Sequence, residues 1–212
     1  MRYISTMTTP PASRHTALGK FAPPRLGRVF GRERLFALLD AAAPSPGLWV
    51  AAPPGAGKTT LITTWLRRSD APSLWLQLDA GDADPASFAN CLQAVWLNAL
   101  QPEIVLPPFS GEDLADVAGW LRRRIGRLFP LLPPRWTLVL DNAQELPAGS
   151  TWHVALAAAL GELPEGVQWV MASREPPPAA YARAIATRQL AVVGAEPMRF
   201  DAAETDALIR LH

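Results

Sequence analysis

The chain has 212 residues, 49% of them hydrophobic, enough to bury one good core or one core with a small appendage, so a single domain is expected. Its 20 basic and 19 acidic residues nearly cancel to a formal charge of +1, so composition does not point to nucleic acid or an anionic membrane as the main partner. There is no apolar run of the roughly eighteen residues a spanning helix needs and no secretory run at the start; the single cysteine, Cys91, can form no intrachain disulfide, and the expectation is a cytoplasmic protein without membrane contact.

Residues 1–24 read as a flexible lead and 25–212 as the domain. Apolar spacing at Leu35, Leu38 and Leu39 predicts a first helix over 31–43, followed by a buried strand over 48–52 and a helix over 58–68. A turn through Ser69, Asp70, Ala71 and Pro72 leads to a second strand over 74–78. Pro85 suits the first turn of a helix over 85–100 that Asp84 can cap, and a further helix is expected over 113–129. Then come a strand over 136–140, an Ala-rich helix over 152–160, strands over 167–172 and 189–193, and a last helix over 201–212. Strands alternating with helices predict a three-layer α/β fold around a mostly parallel five-stranded sheet, which binds ligands beyond the carboxyl ends of its strands.

One motif falls at such an end. Ala52, Pro53, Pro54, Gly55, Ala56, Gly57, Lys58 and Thr59 fit the P-loop pattern, with Ala in place of the first Gly. Gly55 and Gly57 tolerate positive φ, so the backbone can turn successive N–H groups inward on phosphates, and the following helix aims its positive end at the same anion. Lys58 would reach the terminal phosphates, the Thr59 hydroxyl would ligate Mg2+, and Thr60 packs behind; Pro54 and Ala56 complete the cradle. A plain Gly/Pro turn is the alternative, but the match lies after an apolar strand and before an amphipathic helix, as phosphate binding requires. Lys20 and Lys58 are the only lysines among the 20 basic residues, a hint that both positions need a compact ammonium.

The run from Trp136 to Leu140 ends in Asp141, a buried strand delivering a carboxylate to Mg2+, although an Asp opening a turn with Asn142 would look the same. Hydrolysis of ATP also wants a carboxylate to orient water, and the residue after Asp141 is Asn142. Glu145 is the substitute, or else an ordinary acid at a helix start. The fourth strand ends in Ser173 and Arg174, beside the expected terminal phosphate. Arg174 either reports ATP against ADP through a charge-assisted bond to that phosphate or acts as a cap or pairs with Glu175 at the surface.

Together these residues resemble the nucleotide-binding domain of STAND ATPases, a P-loop NTPase fold of the ASCE/AAA kind, and within them the large ATP-binding LuxR-type regulators typified by the maltose regulon activator. The likeness covers nearly the whole chain: Gly19 to Phe21 with Pro23 to Arg25, the VFGRERL stretch at 29–35, the P-loop, LDAGDADPASF at 78–88, LVLDN at 138–142 and MASR at 171–174, in that order. It implies that Val29, Phe30 and Arg32 touch the adenine of ATP or ADP. It also implies a switch in transcription regulation, with self-association or downstream winged-helix, sensor-repeat and helix-turn-helix regions supplying the output and any DNA contact. Two departures stand out: Asn142 and Gln144 replace the family's second acid and its His, and the chain stops at His212, as an excised piece or a stand-alone module would.

Asp79, Asp82 and Asp84 match the family by position, and helix capping accounts for them as well. Arg122, Arg123, Arg124 and Arg127, with Arg135 nearby, form a basic patch that reads more readily as a solvated helix face than as a surface for nucleic acid or an acidic partner, since Leu121, Ile125 and Leu128 supply the buried side. Trp49, Trp75, Trp136 and Trp169 lie in predicted strands and read as core, Cys91 reads as packing, and His15, His153 and His212 show no metal spacing. The leading expectation is a nucleotide-controlled switch with slow or no hydrolysis. The others are a working ATPase or small-molecule kinase, which lacks a base, and an interaction module that keeps the fold, with or without nucleotide.

Overall fold

The computed structural model describes residues 19–27, 29–69, 72–100 and 106–211, so most of the expected lead lies outside the described residues, as do His15 and His212. The described chain runs α1 (Glu33–Ala42), β1 (Gly47–Ala51), α2 (Lys58–Leu66), β2 (Ser73–Gln77), α3 (Pro85–Ala99), α4 (Val117–Leu128), β3 (Trp136–Asp141), α5 (Thr151–Ala159), β4 (Val167–Ser173), α6 (Ala182–Ala186), β5 (Leu190–Val193) and α7 (Ala202–Leu211). Each expected element is present with its ends moved by a few residues. The helix expected over 113–129 is divided into a 3-10 turn at Asp113–Asp116, α4, and a second 3-10 turn at Phe129–Leu131. The physical reason is Asp116, whose backbone leaves the helical region and whose side chain accepts the Gly119 N–H at 2.8 Å, starting a new helix.

All five strands are parallel, in the order β2-β3-β4-β1-β5. Side chains alternate between the two faces as a two-residue period demands. Trp49, Leu76, Leu138, Leu140, Trp169 and Met171 join one apolar cluster with α3, α4 and α5; Leu48, Val50, Trp75, Val139, Val170 and Ala172 join another with α1 and α2. Burying each of these valine, leucine or methionine side chains contributes about 1.5–3 kcal/mol, so both faces hold their helices firmly. The three-layer architecture is the one expected. Among the described residues no helix is long and apolar enough to cross a membrane.

Two residues assigned to the lead are docked. Phe21 packs against the larger cluster, and Lys20 Nζ lies 2.9 Å from Asp79 Oδ2 and 2.7 Å from the buried Asp82 Oδ2. Burial opposes the ammonium, but the two carboxylates outweigh it and raise the Lys20 pKa. The acidic run does cap: Asp79 and Asp82 form a reciprocal capping box on the 3-10 turn Ala80–Ala83, and Asp84 accepts the Ser87 N–H at 2.8 Å to start α3. In α4, Arg122, Arg123 and Arg127 are exposed, whereas Arg124 is buried and donates to Pro107 O at 2.6 Å and Gln93 Oε1 at 3.1 Å. That arginine fastens the chain before α4 rather than adding to a basic face.

Candidate nucleotide-binding site

In-register parallel pairing brings the carboxyl ends of three strands to one place. Ala51 of β1 lies opposite Ser173 of β4, and Ala172 of β4 lies opposite Asp141 of β3. The loop leaving β1 carries Gly55 at φ 78° and Gly57 at φ 83°, left-handed values that glycine adopts without strain. A Cβ on either glycine would meet nothing within 4 Å, so the backbone conformation, not lack of space, is what calls for glycine there. Gly57 is also the N-cap of α2, and no side chain caps that helix. Its first N–H groups and positive dipole end therefore face the bend, the arrangement that binds phosphate.

Lys58 begins α2 and is buried. Its Nζ donates to Ala52 O at 2.6 Å and Pro53 O at 3.0 Å, folding the ammonium onto the loop it serves. Burial lowers its pKa; Asp141 works against that shift and Arg174 adds to it. The Thr59 hydroxyl donates to Asp141 at 3.0 Å from Oδ2 and 3.2 Å from Oδ1. Burial raises the Asp141 pKa, partly offset by Thr59, the Asn142 N–H and Lys58. A hydroxyl and a buried carboxylate at this separation are oxygen donors of the kind a hard divalent cation takes, so the pair fits Mg2+. Thr60 is half-buried on the next position of α2, where its carbonyl accepts Thr64 Oγ1 at 2.7 Å.

At the end of β4, Ser173 is fully buried and its Oγ accepts the Glu175 N–H at 3.0 Å, which closes the turn. Arg174 is exposed, and its guanidinium makes no ion pair among the described residues, with Glu175 or any other acid. The turn after β3 holds Asn142 at φ 62°, with its N–H on Asp141 Oδ1 at 3.0 Å. Glu145 is half-buried in the 3-10 turn Ala143–Glu145. Gln144, absent from the candidates read off the sequence, accepts the Arg174 N–H at 3.1 Å.

The structure thus gathers the loop residues, Thr59, Asp141, Ser173, Arg174 and Glu145. Val29 and Phe30 are half-buried ahead of α1. Arg32 occupies the N-cap position of α1. Its guanidinium donates to Met198 O, Arg199 O and Glu204 Oε2, each at 2.8 Å, and lies 4.0 Å above the Phe200 ring.

A parallel sheet in this order, with a glycine-bent loop feeding a helix from β1 and an acid ending β3, has the three-layer fold of P-loop ATPase domains. Among solved structures the fold is similar to a STAND protein with a tetratricopeptide repeat sensor from Pyrococcus horikoshii, with a TM-score of 0.60, 14% identity, and 89% of this chain and 26% of that one covered. It is also similar to the Aeropyrum pernix ORC1 protein, with a TM-score of 0.50, 19% identity, and 84% and 47% covered. In sequence the chain is similar to the HTH-type transcriptional regulator MalT. It is 30% identical to that of Cronobacter sakazakii over 191 residues and 28% identical to that of Vibrio cholerae over 193, covering 84% and 86% of this chain. The chain spans about 20% of the length of these relatives. No family model matches it.

Proposed function

We propose that the chain is an ATP- and ADP-binding switch domain of a signal-responsive transcriptional regulator, with slow or no hydrolysis of its own. The observation that carries this reading is the convergence of Lys58, the Thr59–Asp141 pair and Arg174 on one glycine-bent loop. The loop N–H groups and Lys58 would take the phosphates, with Lys58 exchanging two carbonyls for phosphate oxygens. Thr59 and Asp141 would hold Mg2+, which when bound neutralises phosphate charge. Val29, Phe30 and the backbone at Arg32 are the proposed base contacts, on the strength of the family likeness. Arg174 gains a charge-assisted bond only when a terminal phosphate is present, which makes it the reporter of ATP against ADP. Slow hydrolysis is supported by Asn142, which supplies no carboxylate next to Asp141.

The likeness to MalT supports a transcriptional output, with DNA contact through regions outside this chain, and a cytoplasmic location. Nucleotide-dependent self-association or the family's winged-helix, sensor-repeat and helix-turn-helix regions would carry the signal onward. Titration with Mg-ATP and with Mg-ADP should give heat and a thermal shift, both weakened by Lys58→Ala; no response of the wild-type chain to either nucleotide overturns the reading. A second reading, turnover as the function, rests on the half-buried Glu145 in the turn beside Gln144. Steady phosphate release above about one turnover per minute, abolished by Glu145→Gln, would favour it.

A further inference from the structure

The turns that follow β3 and β4 leave the sheet side by side, because those strands pair up to Asp141 and Ala172. One side chain, Gln144, joins them. Its Oε1 accepts the Arg174 N–H at 3.1 Å while its Nε2 donates to Glu145 Oε1 at 3.4 Å. The position needs an acceptor on one side and a donor on the other, which a neutral amide supplies. Histidine also carries one of each; leucine and methionine carry neither. The bond falls on the backbone of Arg174, the point from which its guanidinium departs. Ser173 Oγ closes the same turn from the other side by accepting the Glu175 N–H, and Trp49 Nε1 donates to Glu175 O at 2.9 Å. The turn is therefore pinned beyond Arg174 by β1 and β4 and pinned at Arg174 by Gln144.

We propose that Gln144 is a positioning residue that acts through Arg174 and sets the preference of the site for a nucleoside triphosphate over a diphosphate. This rests on the nucleotide-switch reading above. A ligand shifts a two-state site only by its differential contacts, and Arg174 differs between the two nucleotides because a diphosphate offers it no terminal group. Loss of the Gln144 bond frees the start of the Arg174 side chain, which the triphosphate complex must then order at its own expense.

The test is calorimetric titration of the whole chain with Mg-ATP and Mg-ADP, for wild type, Gln144→Leu, Gln144→His, Arg174→Ala and the Gln144→Leu/Arg174→Ala pair. Gln144→Leu should lower the ratio of ATP to ADP affinity about fivefold, roughly the equilibrium equivalent of one ordinary hydrogen bond, with ADP affinity unchanged. Gln144→His should restore the wild-type ratio, and Gln144→Leu should change nothing further once Arg174 is alanine. Should leucine prevent folding, Gln144→Met is read in the same way. Equal weakening of both nucleotides, an unchanged ratio, or an undiminished effect in the Arg174→Ala background overturns the proposal while leaving the switch reading intact. A wild-type chain that binds neither nucleotide overturns both.

Discussion

Arg32 and Glu204, 172 residues apart, meet as a buried ion pair with Nη2 2.8 Å from Oε2. The same carboxylate oxygen accepts Arg34 Nη2 at 3.1 Å and the Asp201 N–H at 3.2 Å, while Asp201 Oδ1 accepts the Glu204 N–H at 2.7 Å. Glu204 therefore completes the capping box of α7 and fastens that helix to the entrance of α1.

Glu204→Gln should destabilise the domain by about 3 kcal/mol, because it leaves the Arg32 guanidinium buried without a counter-charge. Burial works against the Glu204 carboxylate, but Arg32, Arg34 and the Asp201 N–H outweigh it and hold the pKa at about 2, below the ordinary 4.5. A carboxyl depressed in the fold contributes its full stability above pH 4.5 and loses it as pH falls toward 2. Urea unfolding should show the gap between wild type and variant narrowing across that window; a constant gap would mean that packing, not charge, fastens α7.

His153 titrates in a separate window. It is buried, with Nε2 3.2 Å from Leu146 O and Nδ1 3.3 Å from the Tyr181 hydroxyl. Burial lowers its pKa below 6.5, and the Leu146 carbonyl offsets that only in part. The unfolded chain thus binds a proton more readily than the folded one. Stability should be full above pH 6.5 and fall as the pH drops below it. His153→Gln should flatten the dependence below pH 6.5; an unaltered slope would assign the loss to other groups.

Lys58→Met should weaken Mg-ATP and Mg-ADP together by about 10- to 100-fold, since charge-assisted contacts to phosphate are lost. The melting temperature without nucleotide should change little, because the substitution also removes a desolvated ammonium. Unchanged affinity for both nucleotides would exclude Lys58 from the phosphate site.

Asn142→Asp restores an acid next to Asp141 at a left-handed position that Asp tolerates nearly as well as Asn. Phosphate release from Mg-ATP should rise by about tenfold or more if the missing carboxylate limits hydrolysis. No rise would place the limit elsewhere, for example in how Glu145 and Arg174 are held.

The strands were legible because each is a short apolar run closed by turn residues, and because burial on both faces leaves little else for such runs to do. Trp49, Trp75, Trp136 and Trp169 are core for that reason. The phosphate loop was legible because its chemistry depends on adjacent residues, Gly55 to Thr59, and the end of β3 because it carries an acid. Gln144 was visible only as a departure from a familiar pattern, since its partner Arg174 is reached through strand pairing 30 residues away. The Arg32–Glu204 pair left no local signal at all. Short α6, of five residues, has no periodicity to read, and the docking of Lys20 and Phe21 depends on Asp79, Asp82 and a cluster assembled from the whole chain.

Among the described side chains of α7 only Glu204 is buried, while Ile209 stands 68% exposed. The last helix is thus moored by ions and barely by oil. Undocking it would strip the Arg32 and Arg34 guanidiniums of their shared carboxylate and wet the half-buried Ala207 and Leu208.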